Sequence, residues 1–389
     1  MKKILASITF LSLIILLCIV PTFCLPTNME QAKTQQGMSE KSFSKFLSDF
    51  DSGLELYSYK PDEKHEIASM VKIMTANIVL EEIESGKLAL DDKVLISKNS
   101  QSMGGSQMFL EAESEYSVSD LLKGIIVVSA NDASVALAEK ISGSHEKFVE
   151  KMNNRAKELG MHNTLFCSST GLPSESAQYS TARDVNIMTR ALMKHDLYFK
   201  YATIRLEDYH HPDGRVTQMV NTNKLMRTYP YCKGGKTGFT SKAGFCLSAL
   251  AVKNNLSVVS TAIGCEDSAT RFDQVKGMFE YAFAHYSNKV VCAKDEKYVE
   301  DIKVRRSPTK SISLAPSQDI KVLYRDDKPL GKIVANIPNV VNAPISKGDI
   351  VASVEVQQGD TKHTIPLIAM QNARKSTFLD YIKDLANAW

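Results

Sequence analysis

The chain has 389 residues, more than one typical domain of about 100–200, so two domains are expected. Its formal net charge is only +3, which removes the basic excess expected of a nucleic-acid binder. The seven cysteines show no C-x-x-C spacing, so the sequence asks for no zinc site of that kind, no dense disulfide framework and no cofactor.

The chain begins Met1-Lys2-Lys3, runs through an almost unbroken apolar stretch over 4–20 and reaches Pro21-Thr22-Phe23-Cys24. Two lysines followed by a short hydrophobic run that ends at a proline describe a secretory signal peptide over residues 1–24. The competing reading, a retained membrane anchor, asks for a somewhat longer run of about 20 residues. Cleavage would remove Lys2 and Lys3 and lower the formal charge from +3 to +1. The protein is therefore expected outside the cytoplasm, in a periplasm or on the outer face of the cytoplasmic membrane. Five cysteines remain (Cys167, Cys232, Cys246, Cys265, Cys292), mostly read as buried thiols.

Residues 43–287 mix helical and strand patterns. Helical spacing marks 67–83, 118–141, 148–159, 183–193 and 272–285, and strand-like runs at 244–251 and 256–264 flank the turn Lys253-Asn254-Asn255. The pattern predicts an α+β fold, an antiparallel sheet with helices packed around it, over residues 41–288. Short strand-like segments at 320–324, 332–337, 350–356 and 363–368 then alternate with turns such as Lys347-Gly348-Asp349 and Gln358-Gly359-Asp360. They predict a small all-β domain over 295–370. In the tail, 374–389, Phe378, Ile382, Leu385 and Trp389 share one stripe, with Asp380, Lys383 and Asp384 opposite. Such a helix either lies on a membrane surface or docks on its own domain; its polar face has no net positive charge, which weakens the first.

Ser69-Met70-Val71-Lys72 heads the first helical stretch, and positions i and i+3 share a face, so the amine can approach the hydroxyl. Serine needs a base to become nucleophilic, and a partly buried lysine can stay neutral and serve as one. Alone this is weak evidence, because Ser-x-x-Lys occurs four times, at Ser42, Ser69, Ser144 and Ser307. Ser129-Ala130-Asn131 interrupts an apolar helical region, where polar side chains need partners or a cleft. The serine could relay a proton while the asparagine holds a carbonyl or orients a lysine; the plainer reading is a helix cap before Asp132. Ser97-Lys98-Asn99 has the same spacing without the apolar setting. Lys236-Thr237-Gly238 occurs once, after Gly234-Gly235, at the start of a strand-like run. Its lysine and threonine suit a carboxylate, and its glycine would let a peptide backbone approach the strand edge.

The order of the three motifs resembles that of the penicillin-recognising serine enzymes. Ala68-Ser69-Met70-Val71-Lys72-Ile73-Met74-Thr75, Ser129-Ala130-Asn131-Asp132-Ala133, Tyr179-Ser180-Thr181-Ala182-Arg183-Asp184 and Lys236-Thr237-Gly238-Phe239-Thr240 resemble the low-molecular-mass D-alanyl-D-alanine carboxypeptidases, the S11 serine peptidases. The resemblance covers about 43–286, and more loosely the β-domain and tail. It implies that the substrate is the peptidoglycan stem peptide and that β-lactams inhibit. Ser69 would attack the carbonyl between the terminal D-alanines, with Lys72 as base for acylation and for the deacylating water. Ser129 would pass the proton to the departing D-alanine, and Asn131 and Lys236 would fix the network. The N–H groups of Ser69 and Phe239 would form the oxyanion hole. Thr237 would meet the substrate carboxylate with Arg271 nearby, although an exposed arginine starting a helix is also an adequate reading of Arg271.

Two departures stand out. Glu111-Ala112-Glu113-Ser114-Glu115 replaces a Pro-Gly turn the family often has, and Gly235 stands where isoleucine is common, which would loosen the start of that strand. A β-lactamase would share the three motifs but needs a dedicated glutamate, and neither Glu158 nor Glu175 sits in such a setting. A non-catalytic wall-binding scaffold would have no reason to keep a lysine one turn from a serine. His210-His211, beside the turn Pro212-Asp213-Gly214, reads as exposed and without a metal role.

Overall fold

The computed structural model describes residues 42–359 and 361–387; the leader expected over 1–24, Asp360 of one expected turn, and Trp389 lie outside them. Strands β1 (Ser44–Asp49), β2 (Glu55–Tyr59), β3 (Cys232–Thr240), β4 (Gly244–Lys253) and β5 (Leu256–Cys265) form one antiparallel sheet in the order β2-β1-β5-β4-β3. The inner strands read as apolar runs because both of their faces are covered. Cys246, Leu250, Val259 and Ile263 enter the core on one side. Leu247, Ala249, Ala251, Val258 and Ala262 alternate with them and enter the core on the other, as the pleat requires. Asn254, at φ +53°, turns the β4–β5 hairpin.

Helices α1 (Lys72–Glu84), α2 (Val118–Val127), α3 (Asn131–Ser142), α4 (His145–Glu158) and α5 (Ala182–Leu192), together with the shorter Asp196–Ala202, pack in the core on the first face. Helix α6 (Ser268–His285) covers the second, against β4 and β5. Side-chain caps explain several starts: Ser117, Ser144, Thr181 and Asp267 each accept the amide three residues on. The Asp267 cap starts α6 earlier than the apolar spacing suggested. The helical stretch expected over 118–141 is two helices, because Ser129 adopts φ +65° and cannot continue α2. Helix α5 is tied to the sheet by a buried polar seam. Thr189 Oγ1 and Ser248 Oγ are 2.7 Å apart, Ser248 Oγ and Thr261 Oγ1 2.8 Å, and Asn186 Nδ2 donates to the Val259 carbonyl at 2.9 Å.

Helix α6 leads directly into a strand, Tyr286–Cys292, that pairs with Ile320–Arg325. The change of character expected after 291 thus begins at Tyr286. A six-stranded sheet follows, in the order Gly331–Asn336, Ile350–Gln358, Thr361–Ala369, Ser311–Pro316, Val299–Arg305, Val340–Asn342. Ile302, Ile312, Leu314, Val354, Ile365 and Leu367 fill its core. The tail forms a helix, α7 (Phe378–Asn387), whose start is held by Asp380: it pairs with Arg374 at 2.7 Å and accepts the Thr377 amide at 2.8 Å. Phe378, Leu379 and Leu385 remain 78, 68 and 66% exposed, so the apolar face is not docked on its own domain. Among the described residues no helix is long and apolar enough to cross a membrane, and all five cysteines carry free thiols.

Candidate active site

Ser69 lies in a single 3-10 turn, Ala68–Val71, that feeds α1, and Ala68 holds the strained φ of +48° at its start. Lys72, the first residue of α1, is fully buried. Its Nζ is 3.0 Å from Ser69 Oγ and donates to the Thr170 carbonyl at 2.7 Å. Burial first, and the nearby Lys236 second, push its pKa well below that of an ordinary lysine; Asp132 opposes them more weakly. An amine kept neutral beside a hydroxyl can take its proton.

The other three Ser-x-x-Lys pairs do different work. Ser144 caps α4 by accepting the Lys147 amide, and Ser307 accepts the Thr309 amide while Lys310 pairs with Asp384. Lys45 is buried against Gln274, on the far side of the sheet from Ser69. Ser97 merely caps a short helix through the Ser100 amide. Only at Ser69 does the lysine meet the serine hydroxyl.

The left-handed backbone of Ser129 puts its Oγ 2.7 Å from Lys236 Nζ, which also donates to the Thr237 carbonyl at 2.9 Å. Lys236 is buried, and burial, helped by the positive Arg271, lowers its pKa to about 7. Asn131 makes no hydrogen bond to Lys236. Its Nδ2 donates to the Gly104 carbonyl at 2.6 Å, its N–H to the Ser106 carbonyl at 2.7 Å, and its Oδ1 is buried without a partner among the described residues.

Strand β3, which carries Lys236, Thr237, Gly238 and Phe239, is the edge of the sheet beside the Ser69 turn. The glycine at 238 is required by that proximity: a Cβ there would stand 2.7 Å from the Ile67 carbonyl oxygen and 3.3 Å from the Met70 nitrogen. Thr237 is buried, whereas Phe239 is half exposed and stacks on Phe245 with ring centres 4.2 Å apart. Gly235 does not loosen the strand. Its amide donates to Tyr198 Oη at 2.9 Å, and a side chain there would strike the Ser248 carbonyl, so isoleucine has no room.

Arg271 is buried, not the exposed helix-start residue that was one reading of it. Its Nη1 donates to the Gly238 carbonyl at 3.1 Å, and the guanidinium lies over the Phe245 and Phe272 rings. His211 is also buried, contrary to expectation, with Nδ1 3.1 Å from Tyr116 Oη and Nε2 2.8 Å from Thr217 Oγ1. The hairpin of Leu206–His210 and Val216–Val220 folds its ring onto Tyr116, and only His210 is exposed. Glu158 is exposed and paired with Arg155, Glu175 is exposed, and neither bonds Ser69 or Lys72.

Two contributors escaped the sequence reading. The Thr170 carbonyl that holds Lys72 belongs to the turn Ser168-Ser169-Thr170-Gly171. That turn is fixed by Thr75 Oγ1 on the Ser169 carbonyl at 2.8 Å and by His145 Nε2 on the Ser169 amide at 3.1 Å. The run of small polar residues ending in glycine was the available signal. Asp132, next to Asn131, accepts the amides of Met108 and Leu110.

Residues 29–267 match the family model of D-alanyl-D-alanine carboxypeptidase, and 286–375 match the C-terminal domain of penicillin-binding protein 5. The chain is 36% identical over 364 residues to D-alanyl-D-alanine carboxypeptidase DacF of Bacillus subtilis, covering 92% of this chain and 93% of that protein. It is 29% identical to DacC of Escherichia coli over 92% and 91% of the two chains. A crystal structure of penicillin-binding protein 5 from Haemophilus influenzae superposes with a TM-score of 0.67 at 28% identity, over 86% of this chain and 98% of that one. The chain belongs to the D-alanyl-D-alanine carboxypeptidase family of serine peptidases and carries the C-terminal domain of penicillin-binding protein 5.

Proposed function

We propose that this chain removes the terminal D-alanine from peptidoglycan stem pentapeptides through an acyl-enzyme on Ser69, and that β-lactams inhibit it by acylating the same oxygen. Lys72 takes the Ser69 proton as Oγ attacks the carbonyl carbon between the two D-alanines. The oxyanion is held by the N–H groups of Ser69 and Phe239. As the tetrahedral state collapses, the C–N bond breaks and Ser129, hydrogen-bonded to Lys236, hands its proton to the leaving amine and takes in exchange the one Lys72 received, so that Lys72 is neutral again. Lys72 then takes a proton from the water that attacks the ester carbonyl and returns it to Ser69 Oγ as the ester C–O bond breaks. Thr237 and Lys236 receive the terminal carboxylate, with Arg271 adding positive charge from behind β3.

The buried Lys72 amine 3.0 Å from Ser69 Oγ is the observation that carries this reading. Incubation with benzylpenicillin should give a covalent adduct that maps to Ser69 by mass spectrometry and is lost in Ser69→Ala. Release of D-alanine from a pentapeptide should be lost with it. Absence of an adduct on the wild-type chain would remove the acyl-enzyme from the proposal. An adduct that turns over many times per second would favour a β-lactamase instead.

Residues 41–288 would form the catalytic domain, and residues 295–370 the domain that holds it off the membrane surface. Export depends on residues 1–24, and a mature N-terminus downstream of Cys24 would support cleavage there. The exposed Phe378, Leu379, Tyr381, Ile382 and Leu385 would bind the outer face of the cytoplasmic membrane. Co-sedimentation with phospholipid vesicles should be lost when the chain is cut after Ala373; equal sedimentation of both forms would refute this.

A further inference from the structure

Lys72 and Thr75, one turn apart on α1, hold two consecutive carbonyls of the turn over 168–171. Lys72 Nζ donates to the Thr170 carbonyl at 2.7 Å, and Thr75 Oγ1 to the Ser169 carbonyl at 2.8 Å. The turn has little room to move. Gly171 takes φ +78°, and a Cβ there would overlap the Ala68 carbonyl oxygen. Gln178 Oε1 accepts the Cys167 and Ser168 amides, each at 3.2 Å, and Ser168 Oγ accepts the Gly171 amide at 3.0 Å. One further support differs in kind, because it titrates near neutral pH. Ser169 is fully buried, and its N–H donates at 3.1 Å to Nε2 of His145, the first residue of α4; Ser169 Oγ also lies 3.1 Å from that nitrogen.

A backbone N–H can only donate, so Nε2 is the bare, accepting nitrogen and the ring carries its hydrogen on Nδ1. Protonation places a hydrogen on Nε2 as well. Ser169 Oγ can accept that hydrogen, but the Ser169 amide is then buried facing another donor, a state that folded chains avoid. The surroundings favour the neutral ring. Burial lowers the pKa of His145 from its ordinary 6.5, and the ring stands at the positive end of a 14-residue helix. Glu146 beside it on α4 and Glu139 on α3 oppose this more weakly. The turn itself, Ser168-Ser169-Thr170-Gly171, brings no charged side chain. On α1, Glu81 and Glu82 are paired with Arg155 and Lys151 farther along α4, and Lys72 is itself pushed toward its neutral form.

We infer that His145 is a positioning residue: by accepting the Ser169 amide, its neutral ring keeps the Thr170 carbonyl where it orients the Lys72 amine toward Ser69, and protonation of the ring releases that turn. This rests on the acyl transfer proposed for Ser69. A neutral amine has two hydrogens and one lone pair. With one hydrogen committed to the Thr170 carbonyl, the lone pair is free to face the Ser69 hydroxyl 3.0 Å away. Once the carbonyl shifts, the amine loses that orientation and proton transfer slows.

The test compares the full chain with His145→Phe and His145→Gln, following acylation by a fluorescent penicillin across pH. Phenylalanine fills the site without an acceptor, so acylation at about pH 8 should fall about tenfold. Glutamine offers a non-titrating oxygen near the position of Nε2, so it should restore the rate to within about twofold of wild type. The deciding readout is the ratio of the His145→Gln rate to the wild-type rate. It should be about one at about pH 8 and rise to about tenfold as pH falls below 6.5, because the variant escapes protonation of the ring. A purely structural histidine would give a ratio that does not change with pH. A constant ratio would overturn the inference, as would a His145→Phe chain acylated at the wild-type rate. Should His145→Phe not fold, the His145→Gln profile decides alone. Heteronuclear NMR of the ring in the unacylated chain is independent of Ser69. The hydrogen should sit on Nδ1 at neutral pH, and a hydrogen on Nε2 would overturn the inference. If the wild-type chain is not acylated at Ser69, the acyl-transfer reading falls and the inference with it; a ring with its hydrogen on Nδ1 then places the failure at the nucleophile and not at the turn.

Discussion

Alanine at 238 would put one methyl group into the gap between β3 and the Ser69 turn. An ideal Cβ there lies 2.7 Å from the Ile67 carbonyl oxygen and 3.3 Å from both Ala68 Cβ and the Met70 nitrogen. Ordinary carbon–oxygen contacts fall at about 3.3–3.6 Å, so the first contact alone is short by about 0.6–0.9 Å. All three obstacles belong to the short turn that carries the nucleophile, and none is the flexible end of a side chain. β3, an edge strand whose one strand partner among the described residues is β4, is the element freest to yield. Its retreat would carry the Phe239 N–H away from the Ser69 N–H and widen the proposed oxyanion hole. A misplacement of about 1 Å costs up to about a hundredfold, so acylation by a fluorescent penicillin should fall by about ten- to thirtyfold. Overpacking should cost about 1–3 kcal/mol, seen as a melting temperature lower by several degrees. Wild-type acylation with unchanged melting would mean that β3 is not held against this turn, and the argument for Gly238 would fail.

Lys72→Met keeps the length of the side chain but removes the base, so acylation should drop by about 10²–10⁴-fold. The Thr170 carbonyl loses its donor, a cost of about 1–3 kcal/mol that losing a buried amine partly offsets, so melting should change by only a few degrees. An acylation rate above a tenth of wild type would refute Lys72 as the base. For Lys236 the sign follows from its lowered pKa: between about 7 and the ordinary 10.5 the folded chain binds fewer protons than the unfolded one. The destabilisation is full below about pH 7 and fades as pH rises. Lys236→Met should therefore compare most favourably with wild type near pH 7 and progressively less so toward pH 10, in paired thermal melts. A pH-independent difference would contradict the assignment.

The three motifs proposed to carry the reaction stood out in the sequence because such chemistry restricts them to few residue types in a fixed order. Local spacing could not separate Ser69-x-x-Lys72 from Ser144-x-x-Lys147, since both stand at helix starts. The difference is what packs above them: the turn at Thr170 and β3 enclose Lys72, while Lys147 faces solvent. The β4–β5 hairpin was readable from its apolar runs and Asn254-Asn255. The break at Ser129 was not, because the apolar residues on either side keep helical spacing and only the backbone shows the reversal. The exposed reading of His211, and the one of the two readings of Arg271 that left it exposed, failed for one reason. Flanking polar residues made each look exposed, and rings from distant parts of the chain, Tyr116 at His211 and Phe245 at Arg271, help to cover them.

The charges around Ser69 also bear on which substrates the site accepts. Lys72 and Lys236 are both buried, and among the described residues no carboxylate bonds either amine. Asp132, the acidic residue acting on Lys72, has its oxygens occupied by backbone amides. Arg271 adds further positive charge behind β3 and makes the Lys236 ammonium harder to keep. The site's own residues thus supply little negative charge on the side of Lys236 and Thr237. A peptide's terminal carboxylate placed there would favour the ammonium form of Lys236 and leave Lys72 as the neutral base. It would therefore help to set the protonation pattern that the reaction needs, as well as anchor the peptide. A stem peptide ending in D-alanine amide lacks that charge. It should react at least about tenfold more slowly than the free acid in kcat/KM, since one charge-assisted contact is worth about 1.5–3 kcal/mol. Equal rates for the amide and the free acid would mean that the carboxylate lies elsewhere, and Thr237 would lose its proposed role.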